Sequence, residues 1–322
     1  MIISRSPLRI PLGGGGTDLP SYFKKKEGFV ISAAINKYIF ISLGESFNKN
    51  FILNYSKLEK KSDINKIRHP LFRESLKYFN IKKPLHLSSH ADIPSGTGLG
   101  SSGCFTVTLV NILSKYQNLK LSKKDLAEIA CEIEIKKLRE PVGKQDQYAA
   151  SFGGLNQYIF KKNNETIIKK LNIKKNFLSK LENSMSLFFT GYTRNSYKIL
   201  NIQDKKTKSF DKQMIKNLDQ VKEFGYLIKN SLVKSNLEEF AMIMKDHWEI
   251  KKKRSKGISN KKINYYYDMA IERGALSGKL IGAGGGGFLL FVSKKNSSLN
   301  FLEKYGLKRI NFKFDTEGTT IL

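Results

Sequence analysis

The stretch Pro94-Ser95-Gly96-Thr97-Gly98-Leu99-Gly100-Ser101-Ser102-Gly103 decides the fold of this chain. Glycines alternate with other residues, two serines follow, and the apolar run from Cys104 to Leu113 predicts a helix. Glycine allows a positive φ and a close approach of backbone to ligand, and the free N–H groups of the helix start attract an anion. An ordinary tight turn uses the same residue types. A run of this length leading directly into a helix favours a phosphate cradle.

Length and composition indicate a globular protein of enzyme size. The chain has 322 residues, enough for two domains, and 40% of them are hydrophobic. Its two cysteines exclude a disulfide-rich secreted scaffold. Neither a signal peptide nor an apolar span of about 18 residues is recognisable. We therefore expect a cytoplasmic protein with no membrane partner.

The formal net charge of +29 invites a nucleic-acid hypothesis. However, the lysines are spread through nearly every segment beside many asparagines and isoleucines, as in a genome-wide compositional bias. No nucleic-acid-binding module is recognisable either. We therefore expect no nucleic-acid partner, and the charge should instead favour anionic small substrates such as nucleotides and sugar phosphates. The oligomeric state stays open, a homodimer included.

The order of the predicted elements indicates two α+β domains. Strand-like and helix-like patterns alternate in the first half, with strands expected at 29–43, 85–89, 155–160 and 166–173 and a helix at 122–139. The stretch rich in lysine and asparagine at 169–183 is the predicted boundary, which gives domains 1–183 and 184–322. The second half is expected to hold strands at 186–190, 279–281, 288–293 and 310–314 and helices near 211–232, 236–256 and 260–273.

The glycine loop fits none of the commonest nucleotide-binding classes. The pattern GxGxxG occurs at 98–103 and again at 282–287, but a dinucleotide site needs an acidic residue at a strand end about 20 residues later. The nearest candidate, Asp125, lies within a helical pattern. The sequence also lacks a Walker P-loop and the signatures of protein kinases.

Three further clusters accompany the loop: SPLRIPLGGGGTD at 6–18, EPVGKQDQYAASFGG at 140–154 and KLIGAGGGGF at 279–288. Together with PxxxGLGSS at 94–102 they resemble, in order and over nearly the whole chain, the GHMP kinases (galactokinase, homoserine, mevalonate and phosphomevalonate kinases). More narrowly, they are similar to the D-glycero-D-manno-heptose 7-phosphate kinases. The resemblance implies a two-domain fold: an N-terminal domain of mixed sheet and helices with the phosphate loop, and a C-terminal ferredoxin-like α/β sandwich.

The activity that the resemblance implies is transfer of the γ-phosphate of ATP to the anomeric O1 of D-glycero-D-manno-heptose 7-phosphate. Two alternatives remain: another anomeric sugar kinase resembling fucokinase or galactokinase, and a catalytically silent sensor of sugar and ATP. Gly15 and Gly16 stand before Thr17-Asp18 where galactokinases carry Glu-His, which argues against galactose itself.

The site residues follow from the same resemblance. Asp146 would accept or orient the proton of the attacking hydroxyl, and Arg9 would stabilise both that carboxylate and the transferring phosphate. Without the resemblance, the local pattern of Asp146 favours a helix N-cap instead. ATP would bind at Pro94, Gly96, Gly98, Leu99, Gly100, Ser101, Ser102 and Gly103. The sugar would bind at Gly15, Gly16, Thr17, Asp18, Arg194, Gly284 and Gly285. Ser102 and Glu134 would hold Mg²⁺, with Glu132 competing for the carboxylate role.

Overall fold

The computed structural model describes residues 1–47, 49–193, 196–294 and 296–322. Its strands are β1 (Ile2–Gly13), β2 (Gly28–Glu45), β3 (Phe51–Asn54), β4 (Leu58–Lys61), β5 (Leu85–Ala91), β6 (Leu155–Phe160), β7 (Thr166–Lys170), β8 (Met185–Phe189), β9 (Ala275–Leu280), β10 (Phe288–Ser293), β11 (Lys308–Ile310) and β12 (Thr320–Ile321). Its α-helices are α1 (Pro20–Lys26), α2 (Pro70–Tyr78), α3 (Ser101–Tyr116), α4 (Lys123–Cys131), α5 (Gln145–Phe152), α6 (Lys175–Ser184), α7 (Ser196–Lys208), α8 (Lys212–Val233), α9 (Leu237–Lys252), α10 (Lys261–Glu272) and α11 (Phe301–Lys304). Short 3₁₀ turns cover Ile64–Lys66 and Asn296–Leu299.

The larger sheet is mixed and is organised around β2. The segment rich in β-branched and aromatic residues, predicted as one or two strands, forms a single strand of 18 residues. β2 pairs with β1 along most of its length, while its first part pairs with β6 and its last part with β5. β3 lies parallel to β5, which makes the sheet mixed. Helix α3 packs on β1 and β2, so the helix after the glycine loop is anchored on the centre of this sheet.

The smaller sheet is antiparallel, with the strand order β11-β8-β10-β9. Numbered within the sheet, this is the order 4-1-3-2 of a ferredoxin-like fold, here with α7 to α10 inserted between its first two strands. The core under it contains the fully buried Phe188, Trp248 and Phe291. The architecture is therefore α+β, as the sequence predicts.

The helix predicted at 122–139 is in fact divided. Ser122 caps α4 in a capping box with Asp125, which explains its start. After Cys131 the backbone continues as a π-helix over Glu132–Lys137. Such single π turns are frequent at functional sites, and a period of 3.6 residues cannot reveal them.

The chain end returns to the larger sheet. The strand predicted at 310–314 is shorter and earlier, because β11 ends at Ile310 and Phe314 forms only an isolated bridge with Ile35. The Asp315 carboxylate then accepts the backbone N–H of Gly318 (2.7 Å) and turns the chain, so that β12 pairs with β1. The boundary near residue 183 stays a proposal. Among the described helices, none is both long and apolar enough to cross a bilayer.

Candidate active site

A cavity of about 580 Å³ lies where the N-terminal strand, the glycine loop, α5, α9 and the second glycine motif meet. The predicted site residues that line it are Arg9, Gly15, Gly16, Asp18, Gly96, Gly98, Gly100, Ser101, Ser102 and Asp146. The other predicted residues that the structure describes are not part of the cavity lining: Pro94, Leu99, Gly103, Thr17, Glu134, Gly284 and Gly285. Arg194 lies outside the described residues.

The glycine loop owes its shape to backbone conformations that suit only glycine. Gly96, Gly98 and Gly100 have φ values of 75°, 89° and 82°. Gly100 is the residue before α3, so the loop runs directly into the free N–H groups of the helix start. Two bonds hold the loop to β1: the Arg9 N–H donates to the Leu99 carbonyl (3.1 Å) and Arg9 Nη1 to the Gly98 carbonyl (2.7 Å).

The two glycine motifs cross in direct backbone contact. A Cβ on Gly98 would lie 2.7 Å from the Ile281 carbonyl oxygen, and one on Gly282 would lie 2.6 Å from the Gly98 Cα. Gly284 and Gly285 lie behind this crossing, where the Gly285 N–H donates to the Ile258 carbonyl (2.7 Å). These two glycines therefore hold the motif in place, and its cavity-lining members are Gly282 and Ala283.

Arg9 and Asp146 form an ion pair beneath the loop. Arg9 Nε and Nη2 lie 2.8 and 2.6 Å from Asp146 Oδ1, and Arg9 is buried while the Asp146 side chain is 26% exposed. Among the described residues, Asp146 Oδ2 has no protein partner. Asp146 lies in the first turn of α5 behind the Lys144 N-cap, so it is not itself the cap. A Cβ on Gly103 would lie 2.6 Å from the Asp146 Cβ, which explains the glycine there.

Asp18 brings a second carboxylate to the same end of the cavity. It is 2% exposed, and its two oxygens accept the backbone N–H groups of Gly16 (3.0 Å) and Gln145 (3.2 Å). Burial, and then the charge of Asp146, raise its pKa. Thr17, its neighbour, is fully buried, and its hydroxyl bonds backbone groups of Gly14 and Phe29. Thr17 therefore shapes the turn that presents Asp18.

Ser102 and Glu134, the predicted holders of Mg²⁺, lie in direct contact. Ser102 Oγ donates to Glu134 Oε2 (2.6 Å), and Gln147 Nε2 donates to Oε1 (2.8 Å). Glu134 is 1% exposed, whereas Glu132, the competing candidate, is partly exposed and has no bond to Ser102. Hydroxyl and carboxylate oxygens next to a phosphate cradle are hard donors of the kind that Mg²⁺ takes together with nucleotide phosphates.

The burial of Glu134 predicts a pH-dependent stability. Burial raises its pKa from 4.5 to about 7, so folding takes up a proton between these values. Stability contributed by the protonated carboxyl is present below about pH 4.5 and is lost as pH rises through about 7, at up to about 1.4 kcal/mol per pH unit. The urea midpoint of Glu134→Gln should therefore fall less steeply across this window than that of the parent protein. Glu132→Gln is the matched control; equal slopes in parent and Glu134→Gln proteins would contradict the expectation.

Four basic side chains that the motifs do not assign line the C-terminal wall: His247, Lys251, Arg254 and Lys279. The first three follow the spacing i, i+4, i+7 along α9 and just past its end, and this spacing of basic residues on a helical face was a usable signal. Burial is the main cause of the lowered pKa of each, which reaches about 7 for Lys279 and about 10 for Arg254. These four residues form the basic cluster.

An aromatic wall lies at the other end of the loop. Tyr55, His69 and Phe105 line the cavity there, with the His69 ring centroid 4.7 Å from Tyr55 and 5.3 Å from Phe105. Glu59 helps to hold two of them, since it accepts the Tyr55 hydroxyl (3.2 Å) and the backbone N–H of His69 (3.3 Å). Flat aromatic surfaces of this kind can pack against a planar base. Nothing in the local sequence pattern marks these residues.

Comparison with known proteins matches both halves of the chain. The profile described as GHMP kinases N terminal domain covers residues 65–154, and the one described as GHMP kinases C terminal covers residues 228–306. The chain is 34% identical to D-glycero-alpha-D-manno-heptose 7-phosphate kinase of Campylobacter jejuni, over 98% of this chain and 97% of that protein.

Solved structures are similar over the whole length. A D-glycero-D-manno-heptose 1-phosphate kinase from Bacteroides thetaiotaomicron superposes with a TM-score of 0.81 at 26% identity, covering 100% of this chain and 99% of that one. A putative sugar kinase from Campylobacter jejuni gives a TM-score of 0.77 at 32% identity, covering 100% and 98%.

Proposed function

The chain belongs to the GHMP kinases, and from that membership we propose that it transfers the γ-phosphate of ATP to the anomeric O1 of D-glycero-D-manno-heptose 7-phosphate. The observation that carries the proposal is the Arg9–Asp146 pair, which lies directly beneath the glycine loop at the start of α3. A phosphoryl group held in the loop would meet an acceptor hydroxyl near this carboxylate and this positive charge, which supports the proposal. The name of the Campylobacter relative supports the choice of sugar.

Asp146 has the free carboxylate oxygen that the reaction requires. As O1 of the sugar bonds to the γ-phosphorus and the bond from that phosphorus to the β-γ bridging oxygen breaks, Asp146 Oδ2 would take the O1 proton. Arg9 would hold the carboxylate through Oδ1 and offset negative charge on the transferring group. Asp18, fixed by two backbone N–H groups, would accept hydrogen bonds from sugar hydroxyls. These roles make positioning and electrostatics the main contributions of the protein.

The donor would lie along the loop. The N–H groups from Gly98 to Gly103 would hold its phosphates, and the wall of Tyr55, His69 and Phe105 would pack against its adenine. Ser102 and Glu134 would hold Mg²⁺, which when bound offsets the charge of the nucleotide phosphates. Arg194, predicted to contact a phosphate already on the sugar, stays a proposal that Arg194→Ala can test.

The acceptor can be identified with a panel of sugars and related alcohols. The panel includes both heptose 7-phosphate and heptose 1-phosphate, because the names of the relatives differ in the position of the phosphate group. ATP, Mg²⁺ and the protein would be incubated with heptose 7-phosphate, heptose 1-phosphate, unphosphorylated heptose, galactose, fucose and mevalonate. We expect the highest kcat/KM for heptose 7-phosphate, and a product whose ³¹P spectrum has one anomeric and one primary phosphate. A higher kcat/KM for fucose or galactose would favour the alternative sugar kinase. ATP binding without ADP release for any acceptor would favour the silent sensor.

A further inference from the structure

The basic cluster on the C-terminal wall brings several buried basic side chains together. His247, Lys251 and Lys279 are 2%, 7% and 2% exposed, yet all face the cavity with Arg254. Within the described part of the chain, no ion pair joins any of the four to a carboxylate. Asp18 is the acidic group near enough to favour the charged form of Arg254. The cluster therefore has more basic side chains than acidic neighbours, and an anion in the cavity would favour their protonated forms.

Backbone carbonyls take up only part of the donors of this cluster. Lys251 Nζ donates to the carbonyls of Leu280 (3.0 Å) and Gly282 (2.6 Å), and Lys279 Nζ donates to the Leu12 carbonyl (2.5 Å). In its ammonium form each lysine has three donors, so with an anion bound at least one N–H of each lysine remains available.

Arg254 and His247 keep donors as well. Arg254 donates to the Gly15 carbonyl (3.1 Å) and to the side chains of Asn217 (3.0 Å) and Gln203 (3.2 Å), which leaves two of its five N–H groups. Neither ring nitrogen of His247 has a partner among the described residues. Burying a polar group without a hydrogen-bond partner destabilises the folded protein, and a bound ligand can supply that partner.

We propose that His247, Lys251, Arg254 and Lys279 form the subsite that binds the phosphate group already carried by the acceptor sugar. This rests on the proposed function, because it assigns a second anion to the same cavity. A phosphate supplies the charge and the several acceptor oxygens that match the unused donors of the four side chains. The subsite is connected to the sugar end, since Arg254 holds the Gly15 carbonyl next to Gly16 and Asp18.

The cluster and the loop that would bind ATP offer different chemical groups to an anion. The loop presents backbone N–H groups and the start of α3, whereas the cluster presents side chains from α9, the residues just after it and β9. Lys251 Nζ donates to the carbonyl of Gly282, which contacts Gly98, and Arg9 lies near enough to help lower the pKa of Lys251 and Lys279. Removing these side chains should therefore weaken the acceptor more than the nucleotide.

The test compares His247→Leu and Lys251→Met with Lys245→Met, an exposed lysine of the same helix. KM would be measured for heptose 7-phosphate, for heptose without phosphate and for ATP. Loss of a hydrogen bond to a charged group predicts a KM about tenfold higher for the phosphorylated sugar in each cluster variant. The other two KM values, and all three in Lys245→Met, should change less than twofold or so. Equal changes for both sugars, or a larger change for ATP, would overturn the proposal.

A binding measurement keeps the proposal testable if heptose 7-phosphate is not the acceptor. Inorganic phosphate should raise the Tm of the parent and of Lys245→Met, and this rise should shrink in both cluster variants, while the rise with ATP is retained. Because its ring nitrogens have no described partner, His247→Leu should melt no lower than the parent, so a lost phosphate effect cannot come from misfolding. An unchanged phosphate effect in both variants would assign the cluster to stability alone and overturn the subsite.

Discussion

Asp146→Asn should lower kcat by about a thousandfold while leaving the Kd for ATP nearly unchanged. The amide cannot take the acceptor proton, and it leaves the buried Arg9 guanidinium without its ionised partner. The size of Asn and its place in the first turn of α5 preserve the packing against Gly103. Single-turnover phosphoryl transfer, together with calorimetric titration of ATP, would separate the chemical step from binding.

Asp125→Asn is the matched control for this change. Asp125 also lies in the first turn of a helix, but its carboxylate closes the capping box with Ser122, remote from the cavity. This variant should lose about 1 kcal/mol of stability and keep its kcat. A kcat for Asp146→Asn within tenfold of the parent value would mean that the acceptor proton leaves by another route.

The sequence could predict that two distant residues lie close together only where both belong to motifs of the resemblance. Arg9 and Asp146 are 137 positions apart, and no local pattern joins them; the ordered resemblance did. The same holds for Ser102 and Glu134, which form a hydrogen bond across 32 positions. Helix period alone would have placed Glu132 and Glu134 on a regular helix, because the π turn that carries Glu134 is invisible to it.

The parts that escaped prediction depend on tertiary burial. The spacing of His247 and Lys251 places them on one face of a helix, but it does not show that this face lines a cavity, which appears only when α9 is seen against β9. Thr17, Gly284 and Gly285 were predicted to touch sugar because they lie within motifs. In the structure their neighbours line the cavity, while these three hold the backbone behind it.

Gly98→Ala should lower the free energy of unfolding by about 3 kcal/mol and raise the KM for ATP by about tenfold or more. Its φ of 89° disfavours any side chain. The added Cβ would also lie 2.7 Å from the Ile281 carbonyl oxygen, a backbone atom that cannot rotate away. The two glycine motifs would have to separate, which moves the loop N–H groups that the donor phosphates need.

Gly306→Ala isolates the conformational part of this cost. Gly306 has a φ of 86°, close to that of Gly98, but nothing lies within 4 Å of its added Cβ. It should lose only about 1 kcal/mol, with no change in the KM for ATP. The difference between the two alanine variants in urea midpoint and in KM therefore measures the contact between the motifs. If both variants lose equal stability and both keep the parent KM, the crossing of the glycine motifs does not position the nucleotide, and the loop is held by its two bonds to Arg9 alone.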